Sequence, residues 1–372
     1  MKAPLLDLEP IHTPIRDELR QAVLTVLDSN HYIGGPELEN FEREISAYCG
    51  VKHAAGVSSG TDALLISLMA LNIGPGDEVI VPSYTFFSTA GSVSRLGAKP
   101  IFCDINPITY NIDMEKASKL ISSRTKAIIP VHLFGQTVAM PEIIQISQDN
   151  GLHVVEDAAQ AVGAKYKNQM AGSIGTFGCL SFFPSKNLGG IGDGGLVMTN
   201  DGNLYELLLS LRQHGATQRY YHSRIGGNFR MDAIQAAALR IKLHHLDEWT
   251  KIRRANAAYY LDRLKDLEIQ GYIQLPVEVP ENFHVYNQFV IRAVNRDALQ
   301  QYMGDHGIGT AIYYPLPLHL QECFKESGLK RGDLPESEKA AEQTLALPIF
   351  PGLTNEQMNI VVETMRRFYA SV

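Results

Sequence analysis

The stretch VKHAAGVSSGTDALLISLMALNIGPGDEVIVP, residues 51–82, passes from a short apolar run through SSGT into an apolar segment of helical length, and then through GPGD into a second apolar run. Short apolar runs bounded by turn residues, with a longer one between them, read as strand, turn, helix, strand. Gly60 and Thr61 fall where the helix begins. The first N–H groups of a helix have no acceptor inside it and stand at the positive end of its dipole. Together with the Thr61 hydroxyl they suit an anion, most usefully a phosphate. SSGT is also an ordinary capping sequence with Ser59 or Thr61 as N-cap, and the sequence leaves both readings open.

The alternation extends in both directions. Upstream, residues 14–28 carry apolar positions at helical spacing, SNHYIGGPE is a turn, and residues 38–50 form a second helix. Downstream, the pattern predicts helix over 83–97, strand over 98–105, helix over 114–122, strand over 126–135, helix over 140–151 and a strand from Leu152. Nearly continuous apolar strands separated by helices predict an α/β fold with a mostly parallel central sheet covered by helices on both faces. Ligands of such sheets gather at the carboxyl ends of the strands. The strand from Leu152 ends in Glu156-Asp157, which puts a carboxylate at that position; an acidic pair capping the next helix is the alternative.

Further on, Ser181-Phe-Phe-Pro-Ser-Lys186-Asn-Leu-Gly-Gly sets a lysine between the strand-like CLSFF and GLVMTN, with five glycines between Gly189 and Gly195. A buried lysine loses its preference for the ammonium form and becomes an amine able to form a Schiff base or move protons. A lysine snorkelling from a strand end to water is the plainer alternative. A strand-end aspartate followed by such a lysine suggests pyridoxal phosphate, whose ring nitrogen needs an anion and whose aldehyde needs an amine. Gly60, Thr61 and Ser181 can serve its phosphate, and Phe86 can face its ring.

The 372 residues carry 33 Lys and Arg against 40 Asp and Glu, a net charge of −7, which argues against a general nucleic-acid or anionic-membrane surface. No apolar run suits a signal peptide or a membrane span, so a cytoplasmic protein is expected. The four cysteines lack the paired spacing of a zinc site or disulfide framework. Gly190, Gly192 and Gly195 match GxGxxG but lead into a strand, so the dinucleotide fingerprint fails. His214 and the His244-His245 pair lack ligand partners at helical spacing, and no metal is expected. A long helical pattern over 232–267 connects to strand-like 286–294 and 309–314 and helical 296–307 and 355–370. The expected division is a large cofactor-binding unit, 1–245, and a smaller α+β unit, 246–372.

In order, SSGTDAL, PSYTFFSTA, VVEDAAQAVGA, SFFPSKNLGGIGDGG and GGNFRMDAIQAA resemble the DegT/StrS sugar-nucleotide aminotransferases, across nearly the whole chain. The resemblance implies a fold-type I pyridoxal-phosphate enzyme. In it Lys186 would be the Schiff-base lysine, Asp157 the partner of the pyridine nitrogen, Gln160 that of the ring hydroxyl and Phe86 the stacking ring. Gly60, Thr61 and Ser181 would hold the phosphate, with Asn228 reaching it from the partner subunit of a homodimer with composite sites. A dehydratase branch has histidine at the lysine position, so Lys186 implies amino transfer from glutamate, by way of pyridoxamine phosphate, to a nucleotide-linked keto hexose. KNLG followed by GDGG looks closer to the 3-keto than the 4-keto branch. Residues 212–232 and YYPLPLH are similar to enzymes of a UDP-linked 3-keto acetamido uronic acid. Tyr313, Tyr314 and His319 would then lie near the sugar, with Tyr32 and His214 as further substrate contacts. Arg230 would face a carboxylate or serve structure. A free keto sugar or cyclitol as substrate, and a non-catalytic regulatory homologue, are the rival readings.

Overall fold

The computed structural model describes residues 2–371. Its centre is a seven-stranded sheet of β1 (His53–Val57), β2 (Glu78–Pro82), β3 (Lys99–Cys103), β4 (Thr125–Ile128), β5 (His153–Asp157), β6 (Phe177–Ser181) and β7 (Gly195–Thr199). Their order across the sheet is β1-β7-β6-β5-β4-β2-β3. The pairs β2/β3, β2/β4, β4/β5 and β5/β6 are parallel, and only β7 runs against its neighbours β1 and β6. Alternate side chains of one strand enter different cores: Val79 and Val81 join one apolar cluster and Ile80 another, while Phe177 and Cys179 face away from Leu180. A strand whose two faces are both covered must be apolar throughout, which is the pattern of these runs.

The Gly60–Ala70 helix is buried along most of its length, and Ser59 is its N-cap, accepting the Asp62 N–H. A second core gathers Ala257, Tyr260, Phe289, Ile291, Leu345, Val361 and Met365 with Ala3 and Ile11 from the amino-terminal stretch. It surrounds an antiparallel sheet of Ile273–Gln274, Phe289–Ala293 and Thr344–Leu347. No helix among the described residues is long and apolar enough to cross a membrane.

Local departures from the expected elements have identifiable causes. The helix expected over 83–97 spans only Ser88–Arg95. Ser83 instead extends the sheet end, donating its N–H to Cys103 and accepting from Leu318. The strand expected over 126–135 stops at Ile128 and gives way to a turn at Leu133–Gly135, in which Phe134 has a left-handed backbone. The long helix over 232–267 is three: Ala233–Leu243, Leu246–Arg263 and Lys265–Ile269. The strand expected over 309–314 is reduced to one bridge, Ala311 to Ala346, because the Tyr314 N–H goes to the Tyr84 hydroxyl instead.

Candidate active site

A cavity of about 410 Å3 opens at the carboxyl ends of the parallel strands, where the turns after β2, β4, β5 and β6 converge with Gln288, Tyr313 and Tyr314. Nine residues named from the sequence line it: Gly60, Thr61, Phe86, Asp157, Gln160, Ser181, Lys186, Tyr313 and Tyr314.

Two of these, Gly60 and Ser181, converge through close contact. A Cβ on Gly60 would stand 2.7 Å from that of Ser181, and one on Gly195 would stand 2.3 Å from the Ser59 carbonyl oxygen. Only glycine lets the SSGT turn lie against β6 and β7. With Asp62 capped by Ser59, the Gly60 and Thr61 N–H groups have no acceptor within the helix. The Thr61 hydroxyl lies 2.8 Å from that of Ser88.

Asp157 is buried at the end of β5. Burial pushes its carboxyl towards the neutral form; the Thr89 hydroxyl at 2.8 Å on Oδ2 and the Ala159 N–H at 3.2 Å on Oδ1 oppose this, with Lys186 adding a favourable charge. Thr89 is held in turn by Thr85, 3.1 Å away. Gln160 accepts the Phe134 N–H at 2.7 Å and donates to the Tyr314 hydroxyl at 3.1 Å, so its amide is oriented at both ends. Behind it, Tyr84 is fully buried. Its hydroxyl accepts from the Tyr314 N–H at 2.9 Å, donates to the Tyr313 carbonyl and meets Thr344 Oγ1 at 2.7 Å.

The loop bearing Lys186 closes tightly: a Cβ on Gly189 would stand 2.3 Å from the Pro184 carbonyl oxygen. Asn187 donates to the Val285 carbonyl, and the buried Lys242 ammonium donates to the carbonyls of Gly189 and Gly190 at 2.7 and 3.3 Å. Lys186 is reached through the cavity, yet the surrounding protein strips water from its amine and pushes its pKa down to about 8, partly offset by Asp157. Phe86, 56% exposed, stands at the cavity mouth with its ring 6.0 Å from that of Tyr314.

Five residues named from the sequence lie off this cavity. His319 is 1% exposed; its Nδ1 meets Ser83 Oγ at 2.7 Å and its Nε2 meets Glu338 Oε1 at 3.2 Å. It ties the loop after Pro317 to the end of β2 and faces no ligand space. Tyr32 bonds its own turn through Leu27 and Asn30. His214 has a left-handed backbone and pairs with Gly227. Asn228 is exposed, and Arg230 bridges to Val57 with its Nε buried and unpaired. Sequence reading missed Thr85, Thr89, Tyr84, Ser185, Asp193 and Gln288. Of these, Thr85 and Ser185 had a positional signal, standing next to the named Phe86 and Lys186.

The donor set suits pyridoxal phosphate: an amine of lowered basicity, a buried oriented carboxylate, and unpaired N–H groups at a helix start within one cavity.

Comparison with known proteins finds relatives similar along the whole chain. A "Pleiotropic regulatory protein" of Geobacillus stearothermophilus is 47% identical over 369 residues, 99% of each chain. A UDP-N-acetyl-3-dehydro-alpha-D-glucosamine 3-aminotransferase of Acidithiobacillus ferrooxidans is 43% identical over 98% of this chain and 97% of its own. Among solved structures, S. venezuelae DesV in complex with a ketimine intermediate superposes with a TM-score of 0.95 at 43% identity, covering 100% of this chain and 99% of that one. The ntda protein of Bacillus subtilis with bound cofactor PMP gives 0.89 at 34% identity, over 98% of this chain and 82% of that one. Residues 13–366 match the sequence profile of one family, and the chain belongs to it: the DegT/DnrJ/EryC1/StrS aminotransferase family.

Proposed function

We propose that the protein is a pyridoxal-phosphate-dependent aminotransferase that moves the amino group of glutamate to the 3-keto position of a hexose linked to UDP or dTDP, for a surface polysaccharide or a glycosylated metabolite. The observation that carries the reading is the meeting of Lys186, Asp157 and the Gly60–Thr61 turn in one cavity. Relatives similar along the whole chain are named for amination of 3-keto nucleotide sugars, which supports the choice of substrate. The relative named as regulatory does not alter the reading, because a non-catalytic protein has no need of a low-pKa lysine opposite a buried carboxylate.

In this reading Gly60, Thr61 and Ser181 hold the cofactor phosphate, Phe86 and Gln160 set the ring, and Asp157 keeps its nitrogen protonated. The bound cofactor supplies an electron sink for the carbon that carries the amino group. Lys186, poised near neutrality, takes and returns the proton at that carbon. Tyr313 and Tyr314, fixed by Tyr84, bound the sugar side of the cavity and help to exclude water.

The proposed assembly is a homodimer. Asn228 points outward, and Tyr220, Tyr221 and Ile225 expose apolar surface beside it, as Phe86 and Phe183 do at the cavity mouth; such patches suit a second copy of the chain. The proposed location is the cytoplasm, in keeping with free cysteines of which three are buried. The proposed division into 1–245 and 246–372 is supported by the separate core around Phe289 and Val361, to which Ala3 and Ile11 also contribute.

The test is to convert the enzyme to its amino form with glutamate and add 3-keto and 4-keto nucleotide sugars and the corresponding free sugars. Return of the cofactor absorbance with a 3-keto nucleotide sugar is expected. Reaction of only a 4-keto or a free sugar overturns the substrate assignment.

A further inference from the structure

A second cleft, of about 280 Å3, shares no lining residue with the cavity above. One wall is the face of the Leu246–Arg263 helix that carries Asp247, Thr250, Lys251 and Arg254, at the i, i+3, i+4, i+7 spacing that aligns side chains. The other wall is the pairing of Lys165–Tyr166 with Asn282–Phe283. The Phe283 ring has Arg254 Cζ 4.2 Å and Lys165 Nζ 5.8 Å from its centroid, which draws both cations to the cleft.

The charges here are not all matched. Arg254 is occupied by Glu278 Oε1 at 2.8 Å and the His284 carbonyl at 2.7 Å. Asp247 Oδ1 accepts from the Tyr48 hydroxyl at 2.7 Å. Among the described residues, Lys165 and Lys251 have neither an ion-pair nor a side-chain hydrogen-bond partner. A separate observation points to the same space. Thr250 belongs to the cleft wall and is only 4% exposed; its hydroxyl is closed off from solvent and bonds nothing. A threonine inside a helix ordinarily donates to a carbonyl of the preceding turn, and a buried hydroxyl left unpaired is disfavoured.

We propose that this cleft binds a small phosphorylated polyol. Its phosphoryl oxygens would lie between the Lys165 and Lys251 ammonium groups, with the Thr250 side chain turning its enclosed hydroxyl out to donate to them and Asp247 accepting from a ligand hydroxyl. Lysines act on phosphate as mobile point charges and need no fixed fork. The volume exceeds that of a bare phosphate ion and falls near the lower end of small-molecule sites. The site is independent of the amino-transfer reading, since none of its residues borders the Lys186 cavity.

The experiment is calorimetric titration of the cofactor-loaded protein, in which the phosphate subsite near Gly60 is filled, with glycerol 3-phosphate as the probe and glycerol as the control. One binding event is expected with the phosphate ester and none with glycerol. The Lys165→Ala/Lys251→Ala variant should bind at least about tenfold more weakly, the loss of one hydrogen bond to a charged group. Thr250→Val should weaken binding and Thr250→Ser restore it. The two lysines reach solvent and make neither an ion pair nor a side-chain hydrogen bond, so the double variant should fold, with an unchanged circular dichroism spectrum. Absence of binding to the parent protein, or equal affinity in the double variant, overturns the assignment.

Discussion

The Thr89 hydroxyl donates to Asp157 Oδ2 at 2.8 Å, and both side chains are buried. This bond is the largest of the influences that hold the Asp157 carboxyl down against the effect of burial. Thr89→Val removes the donor with little change of shape. A hydrogen bond to a charged group contributes roughly 1.5–3 kcal/mol, so amino transfer should fall by about tenfold or more. The Asp157 pKa should rise, and the acid limb of the rate profile should move to higher pH. Thr89→Ser should recover most of the rate, and the pH profile of turnover checks both expectations.

The Lys186 amine is pushed down to about 8 by burial, while the Asp157 carboxylate acts to raise it. Asp157→Asn removes that favourable charge, so the lysine should lose its proton at a still lower pH. Labelling of the cofactor-free protein with an amine reagent across pH reads this directly. The midpoint should lie near 8 in the parent protein and lower in the variant; an upward shift would refute the pairing of the two groups.

Tyr84→Phe leaves the Tyr314 N–H and the Tyr313 carbonyl without their shared partner. Each unpaired buried group costs roughly 1–3 kcal/mol. Those two tyrosines border the sugar side of the cavity in the reading proposed here, so KM for the keto sugar should rise more than kcat falls. Steady-state kinetics with glutamate and the sugar varied in turn would separate the effects.

Lys242, 1% exposed, is also pushed by burial to about 8 from an ordinary 10.5. Below the folded value both states carry the proton and the penalty for burying the ammonium is fully present. Between the folded and unfolded values only the unfolded chain keeps it, so this lysine makes stability rise with pH. Lys242→Met should flatten that rise in the cofactor-loaded protein, and should loosen the Lys186 loop by removing the donors to Gly189 and Gly190. Urea midpoints measured on either side of the folded value would show it.

The apolar runs and their turns made the parallel sheet legible, and Asp157, Lys186 and Gly60 could be assigned because each stands at an element end marked by glycine or by a change from apolar to polar residues. What could not be read depends on contacts between residues far apart in the chain. His319 reads as a substrate residue, yet it is closed between Ser83 and Glu338. Tyr84 reads as one aromatic among several, and its role appears only once Tyr313, Tyr314 and Thr344 are brought to its hydroxyl. The cut of the 83–97 helix to Ser88–Arg95 has the same origin, since Ser83 is claimed by the sheet end and by Leu318. Thr250, without a partner, carried no signal at all in the sequence.

Two lysines of similar lowered basicity meet at one loop: Lys186, half-buried, opens into the cavity, and Lys242, fully buried, donates to two of the loop's carbonyls. Borohydride reduction of the cofactor-loaded protein, followed by peptide mapping, identifies the amine that holds the cofactor. The account predicts the added mass on the Lys186 peptide alone, with neither label nor glutamate turnover in Lys186→Ala. Label on Lys242 or any other lysine, or turnover retained by Lys186→Ala, would contradict it.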